Sequence, residues 1–108
     1  MTQAWFKNYP NKTAHQIDLT TGNSVLDLFN QSVERYQDKV AFSNFGADLS
    51  FSDVDRLSNN FAAYLQSHLS ISKGDHVALM SPNMLSFPVA MWGIIKVGGV
   101  QVNVNPLY

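Results

Sequence analysis

The sequence contains no cysteine among its 108 residues, which excludes a disulfide scaffold, a thiolate metal site and a cysteine nucleophile. Charged residues are also scarce, at 14%, with 7 lysines and arginines against 8 acidic residues. They are spread along the chain, so no basic patch is present to hold nucleic-acid phosphates or an anionic membrane by long-range charge. We therefore expect no nucleic-acid partner.

The six glycines are not arranged as a phosphate-binding loop, because neither G-x-x-x-x-G-K nor G-x-G-x-x-G occurs. A secretory signal peptide is not indicated either, since the amino terminus has no basic start followed by an apolar run. What the chain does have is apolar residues, at 45%. This content excludes a disordered tail, and the length suffices for one small domain with a core.

An uncharged stretch runs from Val77 to Ile95 and has the length of a membrane span. Ser81, Pro82 and Pro88 interrupt it, and a bilayer would leave the backbone groups there without partners. A buried strand followed by a buried helix is the better interpretation.

Periodicity and capping residues predict two amphipathic helices. A turn at Gly22-Asn23 precedes the first, which has Ser24 as its N-cap with Asp27 at capping-box spacing, and ends near Gln37. Ser52 and Asp55 form the same signal for the second. The apolar residues recurring at three- and four-residue steps are expected in the core; they are Val25, Leu28, Phe29, Val33 and Tyr36, then Val54, Leu57, Phe61, Ala62, Leu65 and Leu69.

Strand patterns occupy the remaining segments. Residues 40–44 and 48–51 predict a hairpin around the turn Phe45-Gly46-Ala47. Residues 76–80 predict a buried strand, residues 83–97 a helix with Pro88 in its first turn, and Gly98-Gly99 the end of that helix. Residues 100–104 alternate as a strand, which completes a β-α-β unit.

The predicted fold class is therefore α/β, in the order helix, hairpin, helix and β-α-β unit. A parallel strand normally needs further elements to cover its faces and edges, and none follows residues 105–108. We expect residues 1–108 to be the first part of a larger domain.

Few side chains are candidates for chemistry. His15, His68 and His76 lack partners at metal-ligand spacing and are expected in ordinary surface roles. Asp53 and Asp55 are expected to favour the positive end of a helix dipole rather than to act as a catalytic pair.

Ser81 and Asn83 follow the carboxyl end of a predicted sheet strand, where ligands gather in open α/β sheets. We nevertheless expect Asn83 to cap the next helix. Trp5, Phe6 and Tyr9 are amphipathic aromatics that suit a membrane surface, but packing against further chain is the favoured role.

Residues 49–54 (LSFSDV) resemble the first core motif of adenylate-forming enzymes, and residues 95–108 (IKVGGVQVNVNPLY) resemble the second. Residues 5–10 (WFKNYP) and 80–90 (MSPNMLSFPVA) are similar to bacterial long-chain fatty acid CoA ligases. His76 departs from the arginine usual in that family, and Asp53-Val54 from the commoner Glu-Leu.

The resemblance implies that the chain is the opening of the amino-terminal AMP-binding domain of a ligase. The whole protein would use ATP, Mg²⁺ and coenzyme A to convert a long-chain fatty acid to its thioester through an acyl-adenylate. The family's phosphate loop, ribose-binding acid, acyl tunnel and carboxy-terminal domain would all follow residue 108. We therefore assign no catalytic, cofactor-binding or metal-binding residue here, and predict that these residues alone are inactive.

The residues alone leave two other protein classes open. One is a free-standing α/β binding or interaction module, and the other, less favoured, is a receiver or flavodoxin-like domain, which would begin with a strand. For the ligase, the water-insoluble substrate implies a cytoplasmic location with peripheral association at the inner face of the membrane. The absence of cysteine is compatible with a reducing cytosol.

Overall fold

A computed structural model describes residues 3–18 and 23–107. After a short 3-10 helix at Ala4–Asn8, the order is α1 (Val25–Tyr36), β1 (Val40–Asn44), β2 (Ala47–Ser50), α2 (Phe51–His68), β3 (His76–Met80), α3 (Ser86–Lys96) and β4 (Val100–Val104). The predicted α/β class and the predicted order of elements are confirmed. Gly22 of the predicted turn and Tyr108 at the chain end lie outside the described residues.

Helix α1 begins as the sequence predicts. The Ser24 hydroxyl accepts a hydrogen bond from the Asp27 amide at 3.1 Å, and the Asp27 carboxylate accepts one from the Asn23 amide, also at 3.1 Å. The pair therefore satisfies amides of the first turn and of the chain just before it.

Helix α2 begins two residues earlier than predicted, so the expected Ser52 and Asp55 cap is wrong. The chain contains two overlapping Ser-x-x-Asp patterns, and the structure uses the first. The Ser50 hydroxyl accepts from the Asp53 amide, and the Asp53 carboxylate accepts from the Ser50 amide, both at 3.0 Å. Ser50 ends β2 in an extended conformation, which an N-cap requires, and Phe51 consequently belongs to the helix and not to the hairpin.

The hairpin turns through two residues with positive φ, Phe45 at 51° and Gly46 at 79°. Such a pair is typical of the two-residue turns whose twist matches that of the flanking strands. Asn44 then pairs with Ala47 in the antiparallel register. The predicted turn is confirmed, although Ala47 already belongs to β2.

The predicted β-α-β unit is present, with β3 and β4 paired in parallel from His76 and Val100 to Met80 and Val104. Pro88 is the third residue of α3, within the first turn as predicted. At the other end, the Gly98 amide donates to the Ile95 carbonyl and the Gly99 amide to the Ile94 carbonyl, each at 3.0 Å. These two bonds form a Schellman motif, which needs the positive φ of 78° that Gly98 adopts.

The stretch from Val77 to Ile95 is thus divided between β3, a loop and α3, and the strand-and-helix interpretation is confirmed. No helix in the described ranges is long and apolar enough to cross a membrane.

The core lies on one side of the β3–β4 sheet. Leu65, Ile94 and Val97 are buried together, and the residues packed against them are Phe61, Ala62, Ile71, Val77 and Leu79. Along β3, half-buried residues alternate with exposed ones. The prediction of a buried strand is therefore wrong for the face that carries His76, Ala78 and Met80, because helices cover only the face that carries Val77 and Leu79.

The apolar stripes of α1 and α2 are also only partly buried. In α1, Phe29 is buried, whereas Val25 is 60% exposed and Leu28 and Tyr36 are also exposed. In α2, Leu69 lies beyond the last helical residue and is exposed. The prediction of full burial is wrong at these positions, because no other described element covers them.

The two serines at the start of α2 provide a direct test of the cap. Ser50→Ala removes the acceptor for the Asp53 amide and is expected to lower the free energy of unfolding by about 1 kcal/mol. Ser52→Ala is the matched control, since Ser52 is exposed and accepts no bond from a helix amide. Urea unfolding followed by circular dichroism measures both variants, and a larger loss for Ser52→Ala would restore the original assignment.

The Asp53 carboxylate is expected to make the stability of the fold depend on pH. Hydrogen bonds from the Ser50 amide and hydroxyl, with a contribution from Arg56, hold its pKa below the ordinary value of 3.8. Since the folded-state pKa is lowered, its stabilising effect is present above pH 3.8 and is lost as the pH falls through the lowered pKa. Asp53→Asn should therefore lose less stability than the wild type on acidification through this range.

Urea midpoints measured from neutral to acid pH test this expectation. Asp38→Asn removes one negative charge from an exposed position in the turn after α1 and controls for net charge. Parallel acid profiles for the wild type and Asp53→Asn would contradict the assigned role.

Candidate functional site

The carboxyl end of β3 is the place where the sequence predicts a ligand-binding edge. Ser81 is half-buried there and donates to the Pro82 carbonyl at 2.9 Å, while Asn83 is exposed. The Asn83 carbonyl accepts from the Asn44 side-chain amide at 3.3 Å. This bond connects the hairpin to the β3–α3 loop.

The expectation that Asn83 caps α3 is wrong. The helix begins at Ser86 with Leu85 at the N-cap position, and no side chain caps it. Residues 83 and 84 form a bend, Leu85 lies in a turn, and the Phe87 amide donates to the Met84 carbonyl at 3.0 Å. Asn83 therefore lies two residues before the N-cap position of α3.

An open groove of about 440 Å³ lies between the hairpin and the start of α3. Apolar atoms form most of its surface, and its lining consists of Phe42, Ser43, Asn44, Asn83, Met84, Leu85, Phe87, Pro88 and Met91. The volume falls within the range of small-molecule sites. None of these lining residues is charged, so the groove could accept an apolar group but offers no acid, base or cation for catalysis.

The three histidines occupy separate places. His15 stacks on Phe6 with ring centres 4.1 Å apart, His68 stacks on Tyr64 at 4.9 Å, and His76 is exposed at the start of β3. Within residues 3–18 and 23–107, no group of three or more histidine or acidic side chains is placed to hold a metal ion.

The amino-terminal aromatic residues contact one another. Phe6 lies edge-on to Trp5 at 6.0 Å and to Tyr9 at 5.4 Å. The 3-10 helix that carries Trp5 and Phe6 contacts none of the other described helices and strands. Packing of these rings against further chain stays a prediction.

One polar side chain with three hydrogen-bond acceptors around it was missed by sequence reasoning. Lys96, at the end of α3, donates to the Asp55 carboxylate at 2.8 Å, to the Asp55 carbonyl at 3.2 Å and to the Asn59 side-chain oxygen at 2.7 Å. The Lys96 side chain is only 10% exposed. Asp55 therefore binds a partner on another helix. It is the fifth residue of α2 and lies outside the first turn, so its predicted role at the helix dipole is wrong, whereas Asp53 lies in the first turn as predicted.

The same ammonium group reaches α1. It lies 5.3 Å from the centre of the Phe29 ring, and Phe29 stacks on Trp92 at 4.1 Å. Lys96 thus contacts side chains from α1 and α2 while belonging to α3. We call Lys96, Asp55, Asn59, Phe29 and Trp92 the Lys96 junction.

The Lys96 junction has a structural role and not a catalytic one. A lysine ammonium has three donor hydrogens, and three oxygen acceptors lie within hydrogen-bond distance. No donor is left for a substrate. A sequence signal for the junction did exist, because Lys96 is the first charged residue after the long uncharged stretch and a buried lysine requires a partner.

The sequence profile described as "AMP-binding enzyme" matches residues 29–108. Among curated relatives, a long-chain-fatty-acid–CoA ligase of Haemophilus influenzae is 43% identical over 108 residues, and one of Escherichia coli is 46% identical over the same length. Each alignment covers 100% of this chain but 19% of the relative. The chain therefore spans about a fifth of the length of these proteins.

Among solved structures, the chain is similar to the N-terminal subdomain of Klebsiella oxytoca NpsA, with a TM-score of 0.76 and 26% sequence identity. The superposition covers 81% of this chain and 23% of that one. The arrangement of helices and strands described above is therefore also found in a larger protein.

The Lys96 junction can be tested with a double-mutant cycle. Asp55→Asn should lower the free energy of unfolding by about 1–3 kcal/mol, because it leaves a largely buried ammonium without its charged partner. Lys96→Met should abolish most of that effect, which gives a coupling energy of about 0.5–3 kcal/mol between the two sites.

Arg56→Met is the control for this cycle, since the Arg56 side chain is 63% exposed and lies 3.5 Å from Asp53. A surface pair of this kind contributes about 0–1 kcal/mol. Additive effects of Asp55→Asn and Lys96→Met in urea unfolding would show that the junction does not couple the helices.

Proposed function

The chain belongs to the AMP-binding enzyme family, and from this membership we propose that it is part of a longer protein that is a long-chain fatty acid CoA ligase. The observation that carries the proposal is the identity of 43–46% along the whole chain to proteins with that name. The alignments include the hairpin, the capped start of α2 and the β-α-β unit, so they extend through every described element.

The proposed reaction has two steps. A carboxylate oxygen of the fatty acid attacks the α-phosphorus of ATP, which forms the acyl-adenylate and releases pyrophosphate. The thiol of coenzyme A then attacks the acyl carbon, loses its proton and displaces AMP, which leaves the acyl thioester. Splitting the reaction through an activated intermediate replaces one difficult substitution by two easier ones.

The described residues do not fit ATP or Mg²⁺. The groove beside Asn83 is lined by uncharged residues, the histidines are dispersed, and the Lys96 ammonium is already bonded to three oxygens. We therefore derive no catalytic step through these side chains. Their proposed contribution is to form the first helices and the first parallel strands of the AMP-binding domain, while the reacting groups lie outside residues 1–108.

We place the proposed ligase in the cytoplasm, with peripheral contact at the inner face of the membrane. The support is the solubility of the proposed substrate, since a long acyl chain partitions into lipid by about 0.8 kcal/mol per buried methylene.

The experiment that tests the function compares the longer protein with residues 1–108 alone. DNA sequenced beyond codon 108 supplies the longer reading frame. With ATP, magnesium and coenzyme A, the longer protein is expected to form palmitoyl-CoA and release pyrophosphate in proportion, whereas residues 1–108 are expected to release none.

Acetate and benzoate serve as matched substrates, because each presents a carboxylate without a long chain. Pyrophosphate release by residues 1–108 would show that catalytic groups had been overlooked in them. Equal activity of the longer protein on acetate and palmitate would refute the long-chain assignment, and a stop codon directly after Tyr108 would refute the ligase proposal as a whole.

A further inference from the structure

The amino-terminal segment, residues 3–17, lies apart from the rest of the described fold. Its 3-10 helix at Ala4–Asn8 contains no buried residue and contacts none of the other described helices and strands. Trp5 is 55% exposed, and Ile17 is 87% exposed. The segment therefore presents large apolar side chains to the surroundings without contributing to the core.

Contacts among its rings order the segment locally. The Phe6 ring stacks on His15 with centres 4.1 Å apart, and the Tyr9 ring lies edge-on to both at 5.4 Å. The Tyr9 amide donates to the Phe6 carbonyl at 3.0 Å, and the Thr13 amide donates to the Pro10 carbonyl at 2.9 Å. A segment that is already ordered loses less conformational freedom when it binds a surface.

The charges are divided unevenly along the sequence, although no basic patch is present. Residues 1–17 contain Lys7 and Lys12 and no acidic residue, so all 8 acidic residues follow Ile17. Both lysines are exposed. Near an anionic lipid surface, each lysine raises the affinity about fivefold. Two lysines therefore attract the segment to such a surface but are too few to hold it there by charge alone.

The aromatic side chains supply the rest of the attraction. Tryptophan and tyrosine collect at the boundary between water and lipid, because each combines an apolar ring with a polar group. Segments that lie in this boundary carry lysine on their polar side. Protein–protein contacts have the opposite preference, since lysine is depleted from them. Exposed rings alternating with lysines, without a carboxylate, thus fit an anionic lipid surface better than a protein surface.

We propose that residues 3–17 are the part of the longer protein that contacts the membrane. Trp5 and Tyr9 lie at the level of the lipid headgroups, and Lys7 and Lys12 lie beside the lipid phosphates. The inference rests on the peripheral membrane contact in the proposed function and names the surface that makes it. It does not require that the protein activates fatty acids. Packing of the rings against further chain is an outcome of the test.

Co-sedimentation of the longer protein with lipid vesicles tests this contact. The anionic vesicles contain phosphatidylethanolamine and phosphatidylglycerol in equal parts, and vesicles of phosphatidylcholine control for the lipid charge. Trp5→Ala removes an exposed ring, and Lys7→Gln combined with Lys12→Gln removes both positive charges. Each of these changes is expected to weaken binding to the anionic vesicles about tenfold.

Matched variants elsewhere in the chain control for the loss of a ring or of charge. Phe45→Ala removes a side chain that is 100% exposed at the hairpin tip. Lys39→Gln combined with Lys73→Gln removes two positive charges from exposed positions. Both controls are expected to bind the anionic vesicles like the wild type.

Hydrogen exchange read by mass spectrometry provides a measurement that needs no substitution. Without vesicles, the amides of residues 3–17 in the longer protein are expected to exchange rapidly, because a segment with few buried contacts opens easily. Anionic vesicles should slow the exchange in these residues. Slow exchange without vesicles would overturn the proposal, since the segment would then be packed against further chain or a second copy.

Two results of the vesicle experiment would also overturn the proposal. One is unchanged binding of Trp5→Ala and of the lysine double variant, and the other is equally strong binding to phosphatidylcholine vesicles. Palmitoyl-CoA formation is measured separately, without vesicles. An inactive protein that binds vesicles through residues 3–17 would refute fatty acid activation and leave this inference standing. An active protein whose vesicle binding does not depend on these residues would do the opposite.

Discussion

The arrangement of the three helices depends on how a single ammonium group is desolvated. Lys96 lies at the end of a helix that is otherwise almost free of polar side chains, and its charge is matched by oxygens of Asp55 and Asn59. Burial of an unpaired ammonium would cost several kcal/mol. The positions of α2 and α3 are therefore linked, and Phe29 brings α1 to the same point through its ring.

Small residues allow this close approach of α2 and α3. A Cβ added to Gly93 would lie 2.7 Å from the Phe61 ring and 3.2 Å from the Ser58 carbonyl. Ser58 is fully buried and satisfies its hydroxyl by donating to the Asp55 carbonyl. The Asp55 carbonyl thus accepts from both Ser58 and Lys96. The polar contacts and the tight packing stabilise the same interface between α2 and α3. The inner side of the β3–β4 sheet packs against these two helices.

Local signals in the sequence were sufficient for the order of elements, because caps, turns and periodicity act within a few residues. They were insufficient at the start of α2, where two residues have the same local N-cap signal. Ser50 and Ser52 each precede an aspartate by three residues, and only the pairing of β2 and the contact of Asp55 with Lys96 select the first. Burial was also overestimated. Periodicity shows which side of helix α1 is apolar, but not whether another element covers Val25 on that side.

We predicted from the missing motifs that these residues contain no catalytic residue. The structure shows what the motifs that are present do in the fold. Residues 49–54 contain the cap that joins β2 to α2, followed by Val54, which is fully buried. Residues 95–104 contain the Schellman turn that joins α3 to β4. Both segments that resemble core motifs of adenylate-forming enzymes are therefore junctions between elements. A family can be recognised from such junctions because their backbone geometry restricts the residue types, whereas the reacting groups can lie elsewhere in the protein.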